Sequence, residues 1–254
     1  MLTQDNCDVS RLISHLSALL RARSAPSARL NAEVEDSLVK SLYASPASLM
    51  IGAVAGGSLS LVIAHHAQIT AITTISVFIC IVALSRAVSA IYFQRQLAHQ
   101  DGPARPIWGL AYELGAWGYA ALLGLLALAT LMLTRDASLH ILSVCLVAAY
   151  SGGISGRNAG RVQIAIGQTC FALLPTSLGL FLSGGIGYTV LATMLFLMIF
   201  AMAEITRTTH RIVVEALEGK YEKSQLAKKF ERLARYDNLT GVENRMAMQM
   251  RLRD

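Results

Sequence analysis

Charge is scarce in this chain: 15% of its 254 residues are Asp, Glu, Lys or Arg, where a soluble domain carries about 25%. Hydrophobic residues make up 54%, and the mean hydropathy is +0.49. That balance lies well outside the range of water-soluble domains. Cysteine is also sparse, with four residues at positions 7, 80, 145 and 170 and no CxxC spacing. No disulfide framework is implied, and the last three sit in apolar runs as small apolar side chains. The first 45 residues have no continuous apolar stretch and contain Asp5, Asp8, Glu33, Glu35 and Asp36, which excludes a signal peptide there. The cations outnumber the anions, giving a net charge of +6 and a pI near 9.3. No nucleic-acid-binding motif accompanies them, so they read as topogenic, lipid-facing charges, and no nucleic-acid partner is expected.

What the sequence does have is long uncharged runs, at about 47–64, 70–92, 107–133, 137–155, 162–183 and 186–205. A chain in hydrocarbon must satisfy its own backbone hydrogen bonds, and runs of roughly 18–24 residues without alternation are helices rather than barrel strands. The fold class is therefore all-α: a polytopic membrane protein with about six transmembrane helices, followed by a long helix. Lys and Arg alternate across the links. Arg11, Arg21, Arg23, Arg29 and Lys40 precede the first span, and the link at 65–69 has none. Arg95 and Arg105 occupy the second link, Arg135 beside Asp136 the third, and Arg157 and Arg161 the fourth. The fifth link, Gly184-Gly185, has none, and Arg207, Arg211, Lys220, Lys223, Lys228 and Lys229 follow the last span. By the positive-inside rule both termini are cytoplasmic.

Several features compete for a functional reading. Residues 8–20 and 32–43 have helical apolar spacing, which suits a cap helix or an amphipathic helix on the membrane face. Gly52 and Gly56, and Gly152 and Gly156, are GxxxG pairs, expected to serve packing within the bundle ahead of dimerisation. Arg86 and Glu113 fall near the same ends of adjacent spans and are a candidate intramembrane pair, with Arg86 snorkelling alone as the alternative. His65, His66 and His140 lie on the opposite side with Asp136 as the sole nearby acid, so no metal site is expected. Residues 151–161, ending in SGRNAGR, bring Arg157, Asn158 and Arg161 into a donor-rich turn, expected to be a solvated topogenic loop.

From Glu204 the sixth run continues without a breaker. Ile212, Ala216, Leu226, Phe230 and Leu233 follow a three–four repeat interrupted at Gly219 and Lys223, compatible with a short parallel coiled coil and hence a homodimer. Next comes YDNLTGVENR, in which Asp237, Leu239, Thr240, Gly241, Asn244 and Arg245 match the D-x-L-T-G-L-x-N-R opening of GGDEF domains. The segment resembles the start of this diguanylate cyclase family, with Val242 in place of Leu and Met246 in place of a frequent second Arg. More loosely, the six-span region resembles the membrane sensor regions that precede such domains in bacteria, which implies a bacterial inner membrane. The resemblance implies magnesium-dependent condensation of two GTP into cyclic di-GMP, with Asn244 contacting guanine. The family's metal-binding carboxylates and GGDEF turn lie downstream of the matched segment. No cofactor is therefore expected in this chain, and Mg and GTP enter only where a complete GGDEF domain follows. The chain as given is expected to be inactive as a cyclase, being a piece of a longer cyclase or a sensor that has lost its output domain.

The organisation expected is a cytoplasmic helical segment at 1–45, a six-span sensor at 46–205, a signalling helix at 206–236 and the start of a GGDEF domain at 237–254. The function expected is a membrane-embedded input module that responds to an unknown small-molecule or membrane-derived signal. The alternatives are an inactive membrane anchor and a small six-span transporter or channel. A histidine kinase fits less well, because His210 lacks the acidic neighbour and following Pro of a phosphoacceptor.

Overall fold

The computed structural model describes residues 42–43, 46–97, 106–158, 160–235 and 242. The expected N-terminal helices at 8–20 and 32–41, Cys7 and the GGDEF-like residues other than Val242, Asn244 among them, lie outside the described residues.

The described residues are all-helical, without a strand, and form six helices: α1 (Pro46–Ala67), α2 (Thr70–Leu97), α3 (Pro106–Leu133), α4 (Ala137–Arg157), α5 (Val162–Ser183) and α6 (Ile186–Arg235). All six are long and apolar enough to cross a membrane. The distribution of side chains says the same. Val54, Leu84, Phe181 and Phe200 are each more than 60% exposed, while Ser60, Ser76, Thr130 and Ser143 are completely buried. In water such an apolar exterior would aggregate; in lipid it is the natural surface. The chain is a multi-pass membrane protein.

Successive helices run antiparallel, so the chain enters and leaves the bundle at one end, called here the terminal end. The links at the far end are very short. Gln68 and Ile69 join α1 to α2, with Gln68 in the left-handed region (φ 53°). Gly184 and Gly185 join α5 to α6 with φ of 73° and 86°, a backbone that glycine adopts without a Cβ clash. Between α3 and α4, the Asp136 carboxylate caps α4 by accepting from the Ser138 N–H at 2.8 Å.

The central pair is α3 and α5; α6 packs on α5 and, less extensively, α4, while α1 packs on α2. Of the membrane-crossing window of α5, 56% is buried, against 17% of that of α6, which leaves most of α6 facing lipid. A Cβ on Gly124 of α3 would lie 2.5 Å from the Phe171 carbonyl oxygen of α5. That approach is open only to glycine, and it falls where Pro175 deprives Phe171 of its intrahelical N–H partner. In the first GxxxG pair Gly56 of α1 is buried against the Tyr119 side chain, whereas Gly52 is exposed with nothing within 4 Å of its Cβ position. Gly152 likewise has nothing within 4 Å of its Cβ position.

The far half of the core is built around Ile63, Ile72, Leu126, Leu131, Leu139 and Leu180 and also buries Ser76, Thr130, Ser143 and His140. The terminal half holds a second, aromatic cluster. Leu42 and Tyr43, just before α1, tuck into it. The Tyr43 ring stacks on Phe93 of α2 at 4.1 Å and meets Tyr112 of α3 edge-on at 5.2 Å. Its hydroxyl donates to the Trp108 carbonyl at 2.9 Å. Burial chiefly, and Tyr112 secondarily, push the Tyr43 phenol up to about 12 against an opposing pull from Arg86, so it is protonated and a donor at neutral pH.

Candidate functional site

Beneath the aromatic cluster, five helices converge on a cavity of about 280 Å3. The local reason is the end of α4. Arg157 is its last helical residue, and Asn158 caps it by donating its backbone N–H to the Ile154 carbonyl at 2.9 Å. The Arg161 N–H then donates to the Asn158 carbonyl at 3.0 Å, closing the turn into α5. This turn folds inward. Asn158 is 1% exposed, and the Nε and Nη2 atoms of Arg157 are buried without a hydrogen-bond partner. The solvated loop expected for SGRNAGR is therefore corrected: its apolar flank Ile154 and its capping Asn158 are core residues, and they carry Arg157 in with them.

Asn158 starts a chain of hydrogen bonds across three helices. The Tyr112 hydroxyl of α3 donates to Asn158 Oδ1 at 2.8 Å. Asn158 Nδ2 donates to Gln168 Oε1 of α5. Gln168 Nε2 donates to the Tyr150 hydroxyl of α4 at 2.6 Å and to the Ala116 carbonyl of α3 at 3.4 Å. Both amide oxygens and both Gln168 N–H groups are thereby engaged, while the Tyr150 hydroxyl accepts and keeps its own proton to donate. Tyr119 of α3 spends its proton on the Gly52 carbonyl of α1 at 3.2 Å.

Arg86 reaches the cavity from α2. Its stem crosses Gly115, where a Cβ would stand 3.2 Å from Arg86 Cγ. Its guanidinium carbon lies 5.7 Å from the Tyr112 ring centroid and 5.4 Å from that of Tyr119, and its charge also acts on the Tyr150 phenol. A desolvated cation–π contact stabilises by about 2 kcal/mol, and the guanidinium is also within hydrogen-bonding reach of the Tyr150 hydroxyl. Arg86 forms no ion pair with Glu113 among the described residues. Tyr112, Ala116 and Tyr119 share one face of α3, and Glu113 is turned about 100° from it. The cation meets aromatic rings in place of the candidate carboxylate. None of the described residues lining the cavity is acidic.

The other sequence candidates lie apart from this site. His140 of α4 is held by the Tyr188 hydroxyl at 2.9 Å and the Thr134 carbonyl at 3.2 Å, and His65 and His66 are exposed at the far end. Among the described residues no group of three His, Cys, Asp or Glu could hold a metal ion. Cys80, Cys145 and Cys170 are free thiols. Ile212, Leu226, Phe230 and Leu233 are 47–67% exposed on α6, and Ala216 is exposed with them. Sequence reasoning missed Tyr43, Tyr112, Tyr119, Tyr150 and Gln168. The signal that could have found Gln168 is an amide two turns inside an apolar span, a costly residue unless it bonds within the bundle.

In comparisons with known proteins, no family model matches the chain, and no curated protein or solved structure matches it.

Proposed function

We propose that the bundle is the input module of a membrane-embedded sensory protein that governs a diguanylate cyclase output through a helical arm. The observation that carries this reading is α6, one uninterrupted helix of 50 residues. About 20 residues suffice to cross a hydrocarbon core, so about 30 residues, roughly 45 Å at 1.5 Å each, project beyond it. In sequence this projecting part is followed directly by the Asp237–Arg245 segment that resembles the GGDEF opening. A rigid rod joining a bundle to an output domain transmits a shift or rotation without loss, which a loop would absorb.

The exposed Ile212, Leu226, Phe230 and Leu233 support pairing of two such arms, where a change of register repositions two output domains. Positive charge at the terminal end supports a cytoplasmic placement of both termini in a bacterial inner membrane. The transporter alternative fits less well, because transporter sites hold ion-coordinating groups near the bilayer midplane, whereas no Asp or Glu is buried among the described residues.

The test joins residues 1–236 to a complete catalytic domain of the family. A second protein carries an unrelated membrane anchor in place of residues 46–205. The reading predicts cyclic di-GMP output that responds to growth conditions in the first and is constant in the second. Equal and unvarying output in both would sink it.

A further inference from the structure

We propose that the terminal-end cavity binds an oxyanion, a phosphate or carboxylate group, between Arg86 and Arg157. Four observations converge on that chemistry. Two guanidinium groups line one cavity with no acidic residue among the described lining residues. Arg157 Nε and Nη2 are buried without a partner, and buried donors of this kind are normally satisfied by something. An uncompensated buried cation is strongly unfavourable, whereas a guanidinium matched to a carboxylate or phosphate forms paired, charge-assisted bonds. The Tyr150 hydroxyl, accepting from Gln168, has its own proton left for a ligand at the same cavity.

The shape adds a route of entry. Ile51 and Gly52 of α1 and Ala149 and Gly153 of α4 line the cavity while being exposed on the outside of the bundle. The mouth therefore lies between α1 and α4 on the lipid-facing side, near the terminal end. Gly52 and Gly153 have nothing within 4 Å of their Cβ positions, which keeps this gap wide. An anionic lipid headgroup entering sideways and a soluble phosphate or carboxylate entering from the aqueous end present the same oxygens to the same arginines.

A bound anion would draw together α2, through Arg86, and α4, through Arg157. Because α4 also packs on α6, the ligand's grip has a direct route to the arm. That the anion is the input signal rests on the sensory reading above, but the binding does not, so the two can fail separately.

The full chain in bilayer nanodiscs of phosphatidylcholine provides the test, read by thermal unfolding and by native mass spectrometry. Three probes are added in turn: phosphatidylglycerol in the bilayer, inorganic phosphate and succinate in the buffer. At least one should raise the unfolding midpoint by several degrees. Arg86→Gln and Arg157→Gln should each weaken that ligand at least tenfold, with Arg157→Lys between them and wild type. A response to phosphatidylglycerol alone identifies a lipid headgroup, and a response to phosphate or succinate identifies a soluble anion. Without added anion, Arg157→Gln should be at least as stable as wild type. The inference is overturned if no probe shifts the midpoint. It is also overturned if Arg157→Gln destabilises the anion-free protein, because the chain would then be neutralising that arginine itself.

Discussion

Asn158 accepts a hydrogen bond from the Tyr112 hydroxyl and donates one to Gln168, so side chains from two other helices depend on one amide. Truncating it strands a tyrosine hydroxyl and a glutamine carbonyl in a buried site. Asn158→Ala should therefore destabilise the bundle by about 1–3 kcal/mol in a denaturation series in detergent or bilayer. Arg161→Ala, at a half-buried position of the same turn, should cost less, within about 0.5 kcal/mol of wild type. The sequence shows Arg86 plainly, because a cation in an apolar run is rare and needs a reason. It hides the partner. Which groups an arginine meets depends on which face of the facing helix is turned to it, and Glu113 lies one residue from Tyr112 but on another face. Arg157 and Asn158 were misread for a related reason: their chemistry suits a solvated turn, and only packing shows the turn folded inward.

At the scale of elements, hydropathy was an adequate guide, since lipid selects on length and apolarity alone. The bounds of α5 and the start of α6 agree with those read from the runs. The differences have local causes. Beyond Tyr92, α2 continues because Phe93 has Tyr43 to stack on, and α4 continues to Arg157 because its cap is Asn158. The glycines separate pattern from contact. GxxxG spacing singled out Gly52, whose Cβ position is open, and passed over Gly124, which touches α5 backbone. Gly124→Ala should disturb the α3–α5 seam by about 1–3 kcal/mol, while Gly52→Ala should be close to neutral. Comparing the two unfolding curves in one detergent checks this directly. An equal response from both would mean that the two helices do not approach so closely.

For the whole molecule, the six-span architecture followed from composition, whereas the cavity did not, because it is assembled from five helices distant in sequence. The charge pattern makes a topological prediction. With Cys80, Cys145 and Cys170 replaced by Ala and Cys7 by Ser, a single cysteine at Gln68 should react with an impermeant maleimide on intact cells. One at Arg161 should react only after the cells are opened. The reverse result would place both termini outside.

The central claim is that α6 carries the state of the bundle as a rigid rod, and its most direct measurement is a register series. One to seven residues of helix-forming sequence are inserted after Lys220 in residues 1–236 joined to a complete catalytic domain, and cyclic di-GMP is measured for each. The account predicts output that rises and falls with a period of about 3.5 residues, because each residue rotates the output domain about 100° and a heptad restores the seam. Output that is flat across the series would show that α6 only tethers, and would contradict the account.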